Sequence, residues 1–284
     1  LDTFAARARI GLTYLWGHRR LPALENPRRF TELVQWRKLH EGGQEQAVLM
    51  DKVTSKALVQ GRLGRDWVIP TAWHGDRLPE QQPFACPAIM KARHGCNQNV
   101  VLRHQPDSRE WQALRALGEK WTAKPYGTWL DESAYRDTTR GLIAEPLLGD
   151  SITLPLDYKI YVFGGRATHV QVHLGRAGRH RWILHDRDWR QLVPGNDRPT
   201  APESLSAMLD AAEQLAAGHS FLRVDFYEID RQPLFGEFCL YPGSGLDPFA
   251  ADWIDFELGD LWRAALGGRP VEVAGAIPPQ IAAA

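Results

Sequence analysis

The sequence predicts an α+β fold, and three observations carry the prediction. Residues 157–163 and 166–174, and again 221–229 and 234–240, alternate side chains with the period of two that marks a strand. Gly164-Gly165 and the Asp-Arg-Gln-Pro stretch at 230–233 stand between them, turn chemistry that folds each pair into an antiparallel hairpin. Elsewhere apolar residues recur at helical spacing, most plainly over 202–217, where Leu205, Met208, Leu209, Ala212 and Leu215 share one side.

In chain order, residues 4–16 are a short helix ending at Gly17, followed by a basic, proline-bearing connection over 18–27. Residues 30–40 form a second helix, with Leu33, Trp36 and Leu39 near helical spacing, stopped by Gly42-Gly43. A third helix is predicted over 47–63, with Gly64 as its C-cap. Lys52 and Lys56 lie four apart on it and share a face, which spacing alone reads as solvated. Residues 68–87 are proline-rich, with strand pieces at 68–69 and 71–73. Residues 86–91 are a strand ending in Lys91; the small-residue loop 92–99 and the returning strand 100–103 complete a flap able to close over phosphates. No G-x-x-x-x-G-K-[ST] and no G-x-G-x-x-G occurs, so this is not a P-loop. A helix over 108–124 buries Trp111, Leu114, Leu117 and Trp121, and an aromatic loop follows at 126–135. Residues 141–148 are a short apolar strand interrupted by Glu145-Pro146, the acid reading as a strand-end charge. His169 and His173 are expected to face solvent, since a spacing of four on a strand makes no zinc-binding helix pair. Residues 176–188, rich in Arg and His, read either as an exposed loop or as a patch for an anionic substrate. A closing helix over 252–266 carries Trp253, Phe256, Leu258 and Trp262, and the Pro/Ala-rich tail is expected to be loose.

The totals bound the function. With 284 residues, 44% hydrophobic and 24% charged, the chain is globular with a sizeable core. Zero net charge gives no bulk electrostatic case for a nucleic-acid partner. Cys86, Cys96 and Cys239 are too few, and odd in number, for a disulfide framework, which favours a reducing compartment and a cytoplasmic location. No apolar run approaches the roughly 20 residues of a transmembrane span, and no signal-peptide pattern is read. The sequence begins at Leu1 rather than Met, so its natural start is expected upstream.

The chemistry gathers at 221–245. Period two places Leu222, Val224 and Phe226 on one face and Arg223, Asp225 and Tyr227 on the other. On the returning strand Phe235, Glu237 and Cys239 share a face. A tight turn sets Asp225 opposite Glu237, and like charges directly opposite repel. A divalent cation between them resolves this, and oxygen-only ligation suits Mg²⁺ shared with phosphate. Arg223 on the same face would meet that phosphate. The other reading is a solvated hairpin face with an ordinary Arg–Asp pair.

Six segments in order resemble the ATP-grasp fold and, more narrowly, the TupA-like ATP-grasp family. They are Met50 to Lys56; Ile89 to Lys91 with the His94 to Asn99 loop; Glu145-Pro146-Leu147-Leu148; Asp157 to Gly165; Arg223-Val224-Asp225; and Phe235-Gly236-Glu237. The resemblance spans roughly residues 30–262. It implies two α+β subdomains gripping ATP: a helical segment at 1–70, a flap subdomain at 71–148, a central antiparallel sheet at 149–270 and the tail at 271–284. It places Lys52 and Lys91 along the phosphates with the His94, Gly95 and Asn97 loop over them. Adenine goes to the hinge Glu145, Pro146, Leu147 and Leu148, and the ribose to Asp157. Lys159 goes to the γ-phosphate, Arg223 to the transferring phosphoryl group, and Asp225 and Glu237 to Mg²⁺. Backbone N–H groups at 243–245 would form an anion nest in the acceptor site, and Arg93, His94, Tyr126, Arg179 and His180 are candidates for acceptor binding. Two departures stand out: Cys239 replaces the Asn that such ligases commonly place two residues after the second metal carboxylate, and the flap has few glycines.

The implied reaction is ATP-dependent carboxylate–amine ligation through an acyl phosphate, on small-molecule or glycan-linked carboxylates and amines, in cell-surface polysaccharide biosynthesis or modification. Two alternatives stand beside it: an ATP-grasp kinase acting on a sugar hydroxyl, and a degenerate nucleotide-binding module that the loss at Cys239 favours.

Overall fold

Two antiparallel sheets, each with its own apolar core, follow a helical N-terminal stretch. The structure is a computed structural model that describes residues 3–149, 154–175, 181–269 and 271. The first helices are α1 (Phe4–His18), α2 (Phe30–His40), α3 (Gln44–Met50) and α4 (Lys52–Leu63). The one helix predicted over 47–63 is thus two. Asp51 is extended between them, and its carboxylate accepts from the backbone N–H groups of Val53 and Thr54 as the N-cap of α4. A side chain that satisfies the first N–H groups of a helix starts a new one there.

The smaller sheet is built from β1 (Trp73–Gly75), β2 (Ala88–Ala92), β3 (Asn99–Leu102) and β4 (Leu142–Pro146), in the order β1-β4-β2-β3. Ala88 and Met90 of β2 and Leu142 and Ala144 of β4 pack with Trp111 and Leu114 of α5 (Ser108–Thr122). Alternation then puts Ile89, Lys91, Ile143 and Glu145 on the opposite face.

The larger sheet contains β5 (Asp157–Phe163), β6 (Arg166–Leu174), β7 (Arg181–Asp186), β8 (Phe221–Ile229) and β9 (Gln232–Cys239), in the order β7-β6-β5-β8-β9. β7 occupies part of the stretch read as an exposed loop or anionic patch: residues 181–186 pair with β6 instead. Arg179 and His180 lie outside the described residues, as does the tail apart from Val271. Ile160, Val162, Val224 and Phe226 are fully buried, and α6 (Leu205–Leu215) packs on β5, β6 and β8 with Met208, Ala212 and Leu215 buried.

The other face of this sheet is divided. At one end Tyr161, Phe163 and Phe221 lie under Phe30 of α2 and Trp262 of α7 (Asp252–Leu266), with ring centroids 4.6 Å apart for Phe221 and Trp262 and 5.0 Å for Phe30 and Phe221. At the other end the same face is polar. The expectation that His169 faces solvent is corrected here: the residue is 1% exposed within the sheet, its Nδ1 and Thr168 Oγ1 are hydrogen-bonded at 2.9 Å, and burial pushes its imidazole down to about 4. His173 is half-buried.

α7 crosses the chain entering α2 at Gly259, where an added Cβ would stand 2.1 Å from the carbonyl oxygen of Arg28. The opposing atom is backbone, so no rotamer relieves the contact. Gly259→Ala is expected to cost at least about 2 kcal/mol of unfolding free energy by overpacking; an unchanged urea midpoint would contradict this packing.

Candidate functional site

Register decides which side chains meet at the polar end of the larger sheet. Gln171 stands opposite Lys159, Lys159 opposite Asp225, and Asp225 opposite Glu237, so one row crosses β6, β5, β8 and β9. A bulge at Gly236 makes this possible: Phe235 pairs with Phe226 and Glu237 with Asp225. Phe235, expected beside Glu237, therefore turns into the core, 1% exposed with its ring 4.7 Å from that of Phe238.

The repulsion between the two opposed acids is relieved first by protein cations. Arg223 forks onto Asp225, Nε to Oδ1 and Nη2 to Oδ2, both at 2.7 Å, and Lys159 Nζ reaches Oδ2 at 2.5 Å. Lys159 also meets Asp157 at 2.7 Å. Burial alone would raise the Asp225 carboxyl; Arg223 and Lys159 overcome it and hold the group below the usual carboxylate range. Burial likewise works against the charge of Lys159 and of Arg223, and the carboxylates raise both above their ordinary values. Asp225 is thus paired with protein cations whether or not a metal joins it. Glu237 differs: it is half-buried, and among the described residues no ion pair reaches it.

Among the described residues no group of three or more His, Cys, Asp or Glu is placed to hold a metal. A divalent ion would take two protein carboxylates at most. Asp225 has three hydrogen bonds on its two oxygens, leaving about one of four acceptor positions, and Glu237 is uncommitted. That donor set fits Mg²⁺, which keeps water and phosphate oxygens in most of its shell. Cys239, opposite Arg223 in register, adds nothing to it: burial pushes its thiol up, and a neutral sulfur is a poor ligand for a hard cation.

A second charge cluster lies on the smaller sheet. Glu145, 4% exposed, receives Lys56 Nζ at 2.6 Å and Lys91 Nζ at 2.7 Å, and Lys56 also donates to Thr71 Oγ1 at 2.9 Å. Burial would raise Glu145; the two lysines together bring it below its ordinary value. Lys91, despite burial, is raised by Glu145, whereas burial wins at Lys56 and lowers it. The sequence read the Lys56 face as solvated and Glu145 as a strand-end charge; each is the other's partner across 89 residues of chain. The signal was a pair of anomalies, an acid inside an apolar strand and a lysine on the face of α4 that turns inward.

The remaining expected residues divide. Lys52 ties α4 to the flap loop, Nζ to the Gly95 carbonyl at 2.6 Å, while Arg93 forks onto Asp51 with both contacts at 2.6 Å. Asn97 is exposed with φ 56°. His94 is not brought to the site: it is fully buried, its Nε2 at 3.2 Å from the Trp121 carbonyl and its Nδ1 accepting from the Gly141 N–H at 3.4 Å. In the hinge Pro146 has no N–H, and that of Leu147 donates to the Pro87 carbonyl at 3.2 Å; Leu148 is half-buried. Tyr126 is half-buried against Tyr135, ring centroids 5.0 Å apart. The charge of Glu237 bears on Lys91, Cys96 and Tyr126 as well as on Lys159, so the flap strand and the β8–β9 hairpin lie within electrostatic reach of each other. Beyond β9, Gly243, Ser244 and Gly245 all have positive φ (53°, 56° and 65°). The Ser244 N–H is used inside this turn, on the Tyr241 carbonyl, and the buried Lys38 donates to both the carbonyl and the hydroxyl of Ser244 at 2.9 and 2.8 Å.

The family described as TupA-like ATPgrasp matches residues 32–263. Among solved structures, the chain is similar to a D-alanine–D-alanine ligase from Bacillus anthracis (13% identity, TM-score 0.46, covering 80% of this chain and 69% of that one). It is also similar to an N5-carboxyaminoimidazole ribonucleotide synthetase from Thermus thermophilus (16%, 0.48, 80% and 54%) and to an L-amino acid ligase from Bacillus licheniformis (13%, 0.46, 77% and 48%). The chain thus spans about half the length of the latter two. No curated protein matches it.

Glu145 and Asp225 are both held below their ordinary carboxylate values, so the stability they contribute is present at neutral pH and is lost as pH falls through the depressed folded values. Glu145→Gln is expected to lower stability at pH 7 by about 3 kcal/mol, because two largely buried lysines lose their partner, and to flatten the acid limb. Urea unfolding from pH 7 to 3 checks this; a variant as stable as the wild type at pH 7 would contradict the cluster.

Proposed function

The chain belongs to the TupA-like ATP-grasp family, and on that premise we propose that it is a cytoplasmic ATP-dependent carboxylate–amine ligase in cell-surface polysaccharide biosynthesis or modification. Small-molecule or glycan-linked carboxylates and amines are its acceptors. The observation that carries the reading is the cation set of the cleft: Lys56, Lys91, Lys159 and Arg223, all largely withdrawn from water and held in place by Glu145, Asp157 and Asp225.

In this reading Lys56 and Lys91 lie along the triphosphate, with Lys52 fixing the flap loop that covers it. Adenine lies against residues 145–148, and the ribose hydroxyls meet Asp157. Asp225 and Glu237 hold Mg²⁺, which when bound draws charge off the phosphate oxygens. An oxygen of the acceptor carboxylate bonds to the γ-phosphorus as the bond from that phosphorus to its bridging oxygen breaks, and ADP leaves with the electron pair. Lys159 and Arg223 stand where negative charge is spread over the transferring group. The amine lone pair then attacks the acyl carbon, the carbon–oxygen bond to phosphate breaks, and the amine proton passes to solvent. The protein's part is positioning and charge balance.

A second reading has its own support. Asp225 is already neutralised by Arg223 and Lys159, and Cys239 stands in place of an amide ligand. Both favour a module that binds nucleotide without turnover. Incubation with Mg²⁺, ATP and panels of carboxylic acids and amines separates the two: the ligase releases phosphate only when both acceptors are present, the module never.

Glu237→Gln is expected to abolish Mg²⁺-dependent ATP turnover at wild-type stability, since Glu237 carries no ion pair among the described residues. Asp225→Asn is expected to abolish it too, with a loss of about 3 kcal/mol from the broken buried cluster. Wild-type turnover in either variant would contradict the metal assignment. Lys91→Ala is expected to weaken ATP binding about tenfold or more; unchanged affinity by calorimetry would contradict the flap assignment.

A further inference from the structure

Helix α1 lies outside the span that matches the family, residues 32–263, and it is apolar on two sides. Ala6, Ile10 and Tyr14 are buried against the body, where the Tyr14 hydroxyl and Thr31 Oγ1 are 2.9 Å apart and Arg9 forks onto Asp131 at 2.6 and 3.0 Å. A helix on a protein surface needs one such face. On the other side Phe4 is 90% exposed, Leu12 67% and Trp16 83%, with Leu15 beside them and Leu21 just beyond the helix end. At 100° per residue, Phe4, Leu12, Leu15 and Trp16 fall within an arc of about 120°. Ala5 and Ala8 are the other helix residues in that arc, both exposed, so nothing polar interrupts it.

The charges that α1 and the turn after it carry themselves are all basic. Residues 3–24 contain Arg7, Arg9, Arg19 and Arg20 and no Asp or Glu. Arg7 borders the arc on one side and Arg9 on the other, while Arg19 and Arg20 directly follow the last turn. The acids that meet three of these arginines come from elsewhere in the chain: Glu25 for Arg7, Asp131 for Arg9 and Asp255 for Arg20. Arg9 stays exposed although Asp131 is buried. Arg19 is exposed and has no ion pair among the described residues. A face of Phe, Leu and Trp rimmed by arginines is complementary to a surface that is anionic outside and apolar just beneath.

We propose that this face seats α1 flat on an anionic lipid surface. Phe4, Leu12, Leu15 and Trp16 enter the boundary between headgroups and acyl chains, while Arg19 and the outer side of Arg9 reach lipid phosphates along their aliphatic stems. The contact is peripheral, for no helix among the described residues is long and apolar enough to cross a membrane. A second copy of the chain fits this face less well. A two-fold contact sets a patch against itself, which would bring one arginine-bearing rim onto another while Glu25, Asp131 and Asp255 are already engaged by the arginines of their own copy.

Co-sedimentation of the full chain with vesicles tests it. Wild-type protein is expected to pellet with phosphatidylcholine vesicles containing phosphatidylglycerol and not with phosphatidylcholine alone. Arg19→Gln is expected to bind the anionic vesicles about fivefold more weakly, one basic contact being lost. Leu12→Glu/Trp16→Glu is expected to stay in the supernatant with an unchanged circular dichroism spectrum and thermal midpoint. The proposal is overturned if wild-type protein ignores anionic vesicles or binds phosphatidylcholine alone as well. It is equally overturned if either variant binds like wild type, or if wild-type protein is a dimer in light scattering that Leu12→Glu/Trp16→Glu converts to monomer.

Discussion

Everything at the centre of this molecule depends on keeping charge inside a sheet. Asp225 sits in the middle of the larger sheet, 1% exposed, and is tolerable there because Arg223 two residues before it and Lys159 on the neighbouring strand both reach its oxygens. A lone carboxylate at such depth would take up a proton or unfold the sheet. The same solution recurs on the smaller sheet, where one carboxylate, Glu145, holds two lysines. In each sheet the cluster lies on the face opposite the apolar one, which packs on α5 in one case and α6 in the other.

This arrangement has a consequence for ligand binding. The cleft is close to charge balance before any ligand arrives, with Lys56, Lys91, Lys159 and Arg223 set against Glu145, Asp157, Asp225 and Glu237. A free triphosphate would upset that balance, whereas one carrying a divalent cation adds less charge and supplies a partner for Glu237. The buried lysines are also held in place by their carboxylates, so little side-chain entropy would be lost if phosphate met them. The turn at 243–245, with Lys38 bonded to Ser244, is fixed in the same manner beside the hairpin.

Much of this was legible in the sequence because it is local. Alternation in 157–174 and 221–240 marks both hairpins and puts Asp225 on the face of Arg223. What the sequence could not reveal depends on contacts distant along the chain or on departures from a period. The Lys56–Glu145 pair joins α4 to β4 and has no local signature beyond two residues that look misplaced. The bulge at Gly236 shifts Phe235 from the site into the core, and an ideal period of two cannot anticipate it. His94 sits in the flap loop in sequence, yet its ring turns inward to backbone groups at 121 and 141.

A crystal structure with Mg²⁺ and a non-hydrolysable ATP analogue would locate the triphosphate and the metal. The triphosphate is expected between the flap strand and the β8–β9 hairpin, with phosphate oxygens at about 3 Å from Lys91 and Lys159 and the metal on Asp225 and Glu237. Nucleotide bound elsewhere, with Glu237 still facing solvent and no phosphate near either lysine, would contradict it.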